Sequence, residues 1–363
     1  MKRRGKVAVL HSVDKTITIV EEEVVKPTAG EILVRVSAAG ICGSDIHRIR
    51  GDLPVSTSAA SVCFGHEVVG VIEELGEDFT FDTMGNPLQV GDSLYWMPLS
   101  PCGICRECRN FESLRCKDLN WPPPAGSPNA AGFRQYATLT KQCTCIRVPP
   151  HLNPEHIIAL GCALPTAIAG LKRLGPISPN ANVVIQGSGP VGLACLILAK
   201  IAEPQSLIVI GDPMHRLDIA QGLGATATMS LADTTPEERR EKIFAITSQR
   251  GANLVIEAAG VASAFPEGLE LLAHHGIYLI LGLYSGTERC EIDPVRINNF
   301  NLHIIGSLGI VQDSFQAAVD FASQHGERLR LADLITHRFP LEQLKEGIML
   351  ADRGIPVKAV IVP

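Results

Sequence analysis

Concentrated positive charge is almost missing from this chain. Beyond Lys2-Arg3-Arg4 no basic run occurs in 363 residues and the formal net charge is -6, so its electrostatics do not favour nucleic acid as a partner. Long apolar stretches are missing too: none approaches the ~18 residues a membrane helix needs. The apolar residues Val7 to Leu10 are stopped by His11 and Asp14, too short a run for the core of a secretory signal. Low-complexity tracts and internal repeats are also absent. The expectation is a folded cytoplasmic protein acting on a small molecule, with no membrane and no nucleic-acid partner.

The chain exceeds what one hydrophobic core usually organises, so two domains of roughly 150 to 200 residues are expected. Hydrophobic residues at 46% and charged residues at 19% are the balance of a chain that folds throughout. The first part, to about residue 150, reads as short β-branched runs bounded by Gly, Pro or Asp: Val7 to Leu10, Ile17 to Val20, Ile32 to Val36, Val68 to Leu75 and Ser93 to Met97. That spacing predicts a mostly antiparallel β region. From about residue 151 the pattern alternates. Apolar runs at Asn182 to Gln186, Ser206 to Ile210, Leu254 to Glu257, Ile277 to Leu281 and Leu302 to Ile305 are separated by helix-length segments at Val191 to Ala202, Met214 to Leu223, Pro236 to Thr247 and Ser263 to Ala273. This predicts a parallel sheet covered by helices on both faces. The last segment returns to a helix and ends in the strand-like Val357 to Val362.

The first strand of the second region runs into Gly187-Ser188-Gly189-Pro190-Val191-Gly192. A strand, a tight glycine turn and an apolar helix present backbone amides and a helix N-terminus to a pyrophosphate, so a dinucleotide is expected here. An acid about 20 residues on would bond the adenosine ribose of NAD. Asp212 stands there, one position late, with Gly211 in the usual place. The carboxylate would repel a 2'-phosphate, which favours NAD; Gly211 with His215 and Arg216 nearby leaves NADP open.

Eleven cysteines call for an explanation other than disulfides. Cys102, Cys105, Cys108 and Cys116 form C-x2-C-x2-C-x7-C, which places four thiolates within reach of one tetrahedral zinc ion. A redox dithiol or an iron-sulfur cluster is the alternative, although the Cys-Pro ending of the bacterial ferredoxin run is missing. The charge disfavours a nucleic-acid zinc ribbon. A second concentration of chemistry is Gly40 to His47, GICGSDIH, which carries a thiol, a hydroxyl, a carboxylate and an imidazole, with Gly65-His66-Glu67 and Cys162 beyond. Cys143 and Cys145 form a close pair open to redox sensitivity. Trp96, Trp121 and Phe64 are the aromatic candidates for a substrate pocket; Trp121 opens a proline-rich loop.

With GICGSDIH, FGHEVVGVI, the four-cysteine loop, AGFRQYATL, GSGPVGL and ITHRFPLEQLKEGI, the whole chain resembles the zinc-dependent medium-chain alcohol dehydrogenases of the alcohol and polyol dehydrogenase superfamily. The resemblance implies an α/β protein: a Rossmann doubly wound parallel sheet domain, residues 164–305, and a discontinuous GroES-like β-rich catalytic domain, residues 1–163 and 306–363, with a structural zinc lobe at about 98–117. It implies Cys42, His66 and Cys162 as ligands of a catalytic zinc and the four clustered cysteines as ligands of a structural one. Three protein ligands leave a fourth position where a substrate oxygen loses its proton more easily. Asp45 would orient His66. Glu67 matches a glutamate that approaches the metal or stands behind it as a charge. Ser44 and His47 match a proton relay. Thr166, Gly187, Gly189, Pro190, Val191, Gly192, Asp212, Arg216 and Leu283 are the expected cofactor contacts. Cys162 occupies a position where polyol dehydrogenases carry glutamate, and Gly43 replaces a pyrophosphate-binding arginine.

The expected function is hydride transfer between an alcohol, most simply a secondary one, or its carbonyl and NAD or NADP, in a homodimer or homotetramer, with Ile277 to Leu281 as a candidate edge for pairing. The alternatives are reduction of a conjugated C=C or iminium bond on the same scaffold, or a non-catalytic dinucleotide-binding protein. Intact metal ligands disfavour the latter, and Ser44 and His47 the former.

Overall fold

The computed structural model describes residues 2–53, 59–99, 101–109, 113–119, 121–126, 128–285 and 288–363. Ser100, Asn110, Phe111 and Glu112 of the expected zinc lobe and Ser127 of the proline-rich loop lie outside the described residues. The chain divides into two compact units, one built from Met1–Cys162 and Ile310–Pro363, the other from Ala163–Gly309.

In the first unit a seven-stranded sheet runs in the order Ile335–Pro340, Lys358–Val362, Glu31–Gly40, Glu67–Leu75, Ser93–Met97 and Thr144–Arg147, with Tyr136–Thr140 also paired to Glu31–Gly40. All its pairs are antiparallel except that between Ile335–Pro340 and Lys358–Val362. A three-stranded sheet, Ile17–Glu23, Arg4–His11 and Ser61–Cys63, accompanies it. Ile32, Val34 and Val36 alternate onto one face and are buried with Val68, Ile72, Leu94 and Ile361, the period-two pattern that locks a strand's register. Two register shifts interrupt the Glu31–Gly40 pairing with Glu67–Leu75. Such bulges re-aim the residues beyond them. The pairing closes with Gly40 opposite Glu67, which sets Cys42 and His66 side by side at the end of two neighbouring strands. Gly40 has to be glycine, because a Cβ there would run into the Glu67 carboxylate and Lys358.

The second unit is a six-stranded parallel sheet in the order Ala227–Ser230, Ser206–Gly211, Asn182–Gln186, Ala252–Glu257, Leu272–Ile280 and His303–Gly306. Its central strands are buried throughout, as a sheet covered on both faces demands. The helix expected from Ser263 to Ala273 stops at Leu271, and the strand expected from Ile277 already begins at Leu272. That strand is interior, so the expectation that it forms the edge is wrong. The sheet's edges are Ala227–Ser230 and, on this side, His303–Gly306, whose His303, Ile304 and Gly306 are exposed.

Candidate active site

Cys42, His66, Glu67 and Cys162 bring one ligand-type atom each to within 4.8 Å of one another. The Cys42 and Cys162 sulfurs are 3.4 Å apart. A tetrahedral zinc with Zn–S near 2.3 Å has ligand-to-ligand edges of about 3.8 Å, so the two sulfurs and the His66 imidazole fit three corners of such a site. The hydrogen bond between the sulfurs holds the Cys42 thiol well below its ordinary pKa and lifts that of Cys162. A metal ion held between the two sulfurs would displace the thiol protons, because cysteine binds metal as the thiolate. Burial works against a charged His66, but Asp45 and Cys42 outweigh it and raise the imidazole well above its ordinary pKa.

Each of these side chains is held from behind. Cys42 caps the helix Gly43–Arg50, and its N–H donates to Asp45 Oδ2 at 3.0 Å. Asp45 Oδ1 lies 3.3 Å from His66 Nδ1, which turns Nε2 of that ring towards the cysteines' side, where Ser44 Oγ is 3.3 Å away. Both Glu67 oxygens are engaged: Oε1 accepts the Cys162 N–H at 2.9 Å, and Oε2 pairs with the Lys358 ammonium. Glu67 and Lys358 are 1% and 2% exposed. Burial alone would raise the carboxyl and lower the ammonium; their mutual attraction reverses both, leaving Glu67 below and Lys358 above the ordinary value. Lys358 Nζ also donates to the Ile41 carbonyl at 3.3 Å. Sequence reasoning missed this lysine.

Ser44 and His47 lie one turn apart on the same short helix, on neighbouring positions of one face. Ser44 Oγ is 3.5 Å from the Cys42 sulfur, and His47 Nδ1 is 3.0 Å from Asp52 Oδ2. Of the three aromatic candidates, only Trp121 reaches the cluster. Its ring meets His66 edge-on with centroids 6.4 Å apart and packs against Val7, Val9, Cys63 and Ala131. Trp96 is wholly buried with Nε1 donating to the Ala130 carbonyl at 2.8 Å, and Phe64 packs edge-on against Phe133; both are core residues. Cys143 and Cys145 are buried, and burial pushes the Cys145 thiol up to about 12, which makes a poor redox pair.

The other four cysteines also converge, with ligand atoms all within 4.8 Å. Cys105 and Cys108 sulfurs are 3.4 Å apart, and three backbone N–H groups, from Cys102, Cys105 and Cys108, donate to sulfurs of Cys116, Cys102 and Cys105 at 3.3 to 3.4 Å. Amides aimed at sulfur favour thiolates, and four of them in a small loop fit a closed structural zinc site.

In the second unit Gly187 has φ +113° and lies against the Ala258 carbonyl, where a side chain has no room. Gly189 is the N-cap of the helix Pro190–Ile201, with Pro190 at its first position, so the Val191 and Gly192 amides face the turn. Gly192 sits against the Gly187 carbonyl. A groove of about 480 Å3 extends from Gly187 past Ile210, Pro236, Ala259 and Val261. Asp212 is engaged by its own neighbours: Oδ1 accepts from Ser230 Oγ at 3.0 Å and Oδ2 from the Ala232 N–H at 2.9 Å. At Gly211, where the acid is expected, a Cβ would meet the Ser188 side chain and amide, so that position has no room for a side chain. Arg216 stands on the helix Met214–Gly222, where burial lowers its pKa. Thr166 stands on the helix Ala163–Leu174. Leu283 follows the strand Leu272–Ile280, with its backbone against Gly260.

A nucleotide-type parallel sheet and a β-rich unit whose Cys42, His66, Glu67 and Cys162 and whose four-cysteine lobe could each hold a metal ion are the features of a metal-dependent dehydrogenase. Residues 28–150 match the model of the alcohol dehydrogenase GroES-like domain, and residues 190–324 that of the zinc-binding dehydrogenases. The chain is 38% identical over 341 residues, 94% of each chain, to the 5-exo-hydroxycamphor dehydrogenase of Pseudomonas putida. The crystal structure of an alcohol dehydrogenase from Thermotoga maritima superposes with a TM-score of 0.89 at 27% identity, covering 99% of this chain and 100% of that one. A protein from Sinorhizobium meliloti solved with NADP bound gives 0.84 at 25% identity over 100% of both chains. The chain belongs to the zinc-dependent medium-chain alcohol dehydrogenase family. It is an oxidoreductase that uses zinc and a nicotinamide dinucleotide to interconvert an alcohol and its carbonyl.

Proposed function

We propose that the enzyme oxidises a secondary alicyclic alcohol to its ketone with NAD, and catalyses the reverse reaction. The observation that carries the chemistry is Ser44 Oγ 3.3 Å from His66 Nε2, beside the Cys42 sulfur. Cys42, His66 and Cys162 hold the catalytic zinc; Cys102, Cys105, Cys108 and Cys116 hold the structural one. Zinc bound there would supply Lewis acidity, which favours loss of the substrate hydroxyl proton and of hydride to a nicotinamide. Ser44 takes the hydroxyl proton and His47 passes it outward, with Asp52 fixing the imidazole through Nδ1. Asp45 orients His66, and Glu67, with both oxygens occupied, acts as a charged support behind Cys162. Trp121 forms an apolar wall beside the site, which suits a rigid hydrocarbon frame like that in the name of the Pseudomonas putida relative.

Gly187, Gly189, Pro190, Val191 and Gly192 receive the pyrophosphate, with Thr166, Arg216 and Leu283 around the rest of the dinucleotide. The Asp212 charge disfavours a 2'-phosphate. Residues 1–163 and 306–363 form the catalytic domain and 164–305 the cofactor domain. The unpaired edge His303–Gly306 joins two copies in a dimer. No helix among the described residues is long and apolar enough to cross a membrane, and we assign the enzyme to the cytoplasm. Ser44→Ala tests the relay. It should abolish most alcohol oxidation with zinc content intact, whereas unchanged oxidation would assign the proton transfer to another group and reopen reduction of a C=C bond as the reaction.

A further inference from the structure

Tyr95 is an unexpected residue to find at the centre of the first unit. It lies on the strand Ser93–Met97, opposite Val69 of the strand that begins at Glu67. It is 1% exposed and stacks on Phe315 of the helix Gln312–His325, with centroids 4.0 Å apart and planes 11° from parallel. A buried phenol needs a partner for its hydroxyl, and Tyr95 donates to the Gly161 carbonyl at 2.9 Å.

That carbonyl and the Cys162 N–H belong to one peptide group. The N–H donates to Glu67 Oε1 at 2.9 Å, so the plane leading into Cys162 is held at both ends, by a hydroxyl on one side and a carboxylate on the other. Nothing else about this peptide is ordinary. Gly161 has φ +48°, a region that L side chains rarely adopt, and a Cβ there would collide with the Glu67 carboxyl. A residue with that freedom needs outside restraint to hold one orientation. The Cys42 peptide is held in a parallel way: the Ile41 carbonyl accepts from Lys358 at 3.3 Å and the Cys42 N–H donates to Asp45 at 3.0 Å. Both sulfur ligands are thereby aimed by two-ended clamps on the peptide that precedes them.

We propose that Tyr95 is a positioning residue for the catalytic metal, its hydroxyl fixing the Gly161–Cys162 peptide so that the Cys162 sulfur stands ready at its corner of the site. The proposal rests on the assignment of zinc to Cys42, His66 and Cys162, and its test keeps the two claims apart.

Tyr95→Phe removes the hydroxyl and keeps the ring on Phe315. The wild type is first assayed for zinc, with two ions expected per chain. Both proteins are then challenged with a chelator and zinc release is followed. In Y95F one ion should leave about tenfold faster, the scale on which partners of ligands act, while the other leaves at the wild-type rate. After cobalt exchange, the visible spectrum of the faster site should be shifted. Phe315→Leu, which keeps the hydroxyl and loses the stack, should lower the melting temperature without selective loss of one ion. Equal release in Y95F and wild type, parallel acceleration of both ions, or the same selective loss in F315L would overturn the role of the hydroxyl. A wild type without zinc at the Cys42 site would overturn the metal assignment itself.

Discussion

Lys358→Met is the sharpest test of how the metal site is supported. The lysine and Glu67 are both almost fully buried, and the ammonium meets the carboxylate directly while also bonding the Ile41 carbonyl. Methionine fills much the same space but leaves Glu67 without its ammonium partner, with the Cys162 N–H as a hydrogen-bond donor and the His66 imidazole as a nearby positive charge. Breaking a buried pair by removing one member typically costs 3–5 kcal/mol, so about 4 kcal/mol is expected here. For a folding body of about 150 to 250 residues each kcal/mol moves the melting temperature by about 2–4 °C, which gives a fall of roughly 10 °C. Calorimetry on the zinc-loaded enzyme measures it. The double variant Lys358→Met/Glu67→Gln removes the stranded charge and should recover more than half of the loss, because the two residues act as one unit. A K358M protein within about 1 kcal/mol of wild type, or a double variant less stable than K358M, would refute the reasoning.

Cys108→Ser should reduce zinc from two ions to one per chain and lower the melting temperature, since structural zinc contributes directly to folding; elemental analysis and calorimetry check both, and full zinc content would contradict the four-cysteine site. Glu257 is wholly buried and accepts the Ala259 and Gly260 N–H groups at 2.7 Å, and burial raises its pKa above 4.5. A raised acid binds more protons folded than unfolded, so the wild type should lose stability relative to Glu257→Gln as pH rises from 4.5, and not below it; melting temperatures of both proteins across that range decide. Trp121→Ala should lower kcat/KM for bicyclic alcohols about tenfold through lost apolar contact and leave 2-propanol within about threefold; a gain for the bicyclic substrates would show that the indole obstructs them.

The parts of the fold that could be read from residue order are those with local chemistry. Asn182 to Gln186 running into Gly187-Ser188-Gly189 is a strand, a turn and a helix start in consecutive residues, and the zinc-type spacing of Cys102, Cys105, Cys108 and Cys116 is contained in one loop. Lys358 shows where such reading stops. It lies 291 residues from Glu67, in a strand where an isolated lysine reads as a solvated side chain, and only the pairing of the Lys358–Val362 strand with Glu31–Gly40 carries it inside. Tyr95 has the same disguise among Leu94, Trp96 and Met97. Trp96 and Trp121 cannot be distinguished by type; strand pairing buries one and a loop delivers the other beside His66. Residue order does not show which strand ends the parallel sheet: His303–Gly306 is a short run with exposed residues, and only its pairing beyond Leu272–Ile280 makes it an edge and that strand interior. Nor does residue order show that Ser188 fills the space at Gly211, which excludes a side chain from the position before Asp212.

The most direct measurement is nicotinamide reduction by the purified, zinc-quantified enzyme across a panel of primary, secondary and alicyclic alcohols, with NAD and NADP in parallel and Cys42→Ala as the metal-site control. The account predicts activity with secondary alicyclic alcohols and NAD in the protein holding two zinc ions, and its loss with one of those ions in Cys42→Ala. Zinc-replete enzyme that reduces neither cofactor with any alcohol, or a Cys42→Ala variant as active as wild type, would contradict it.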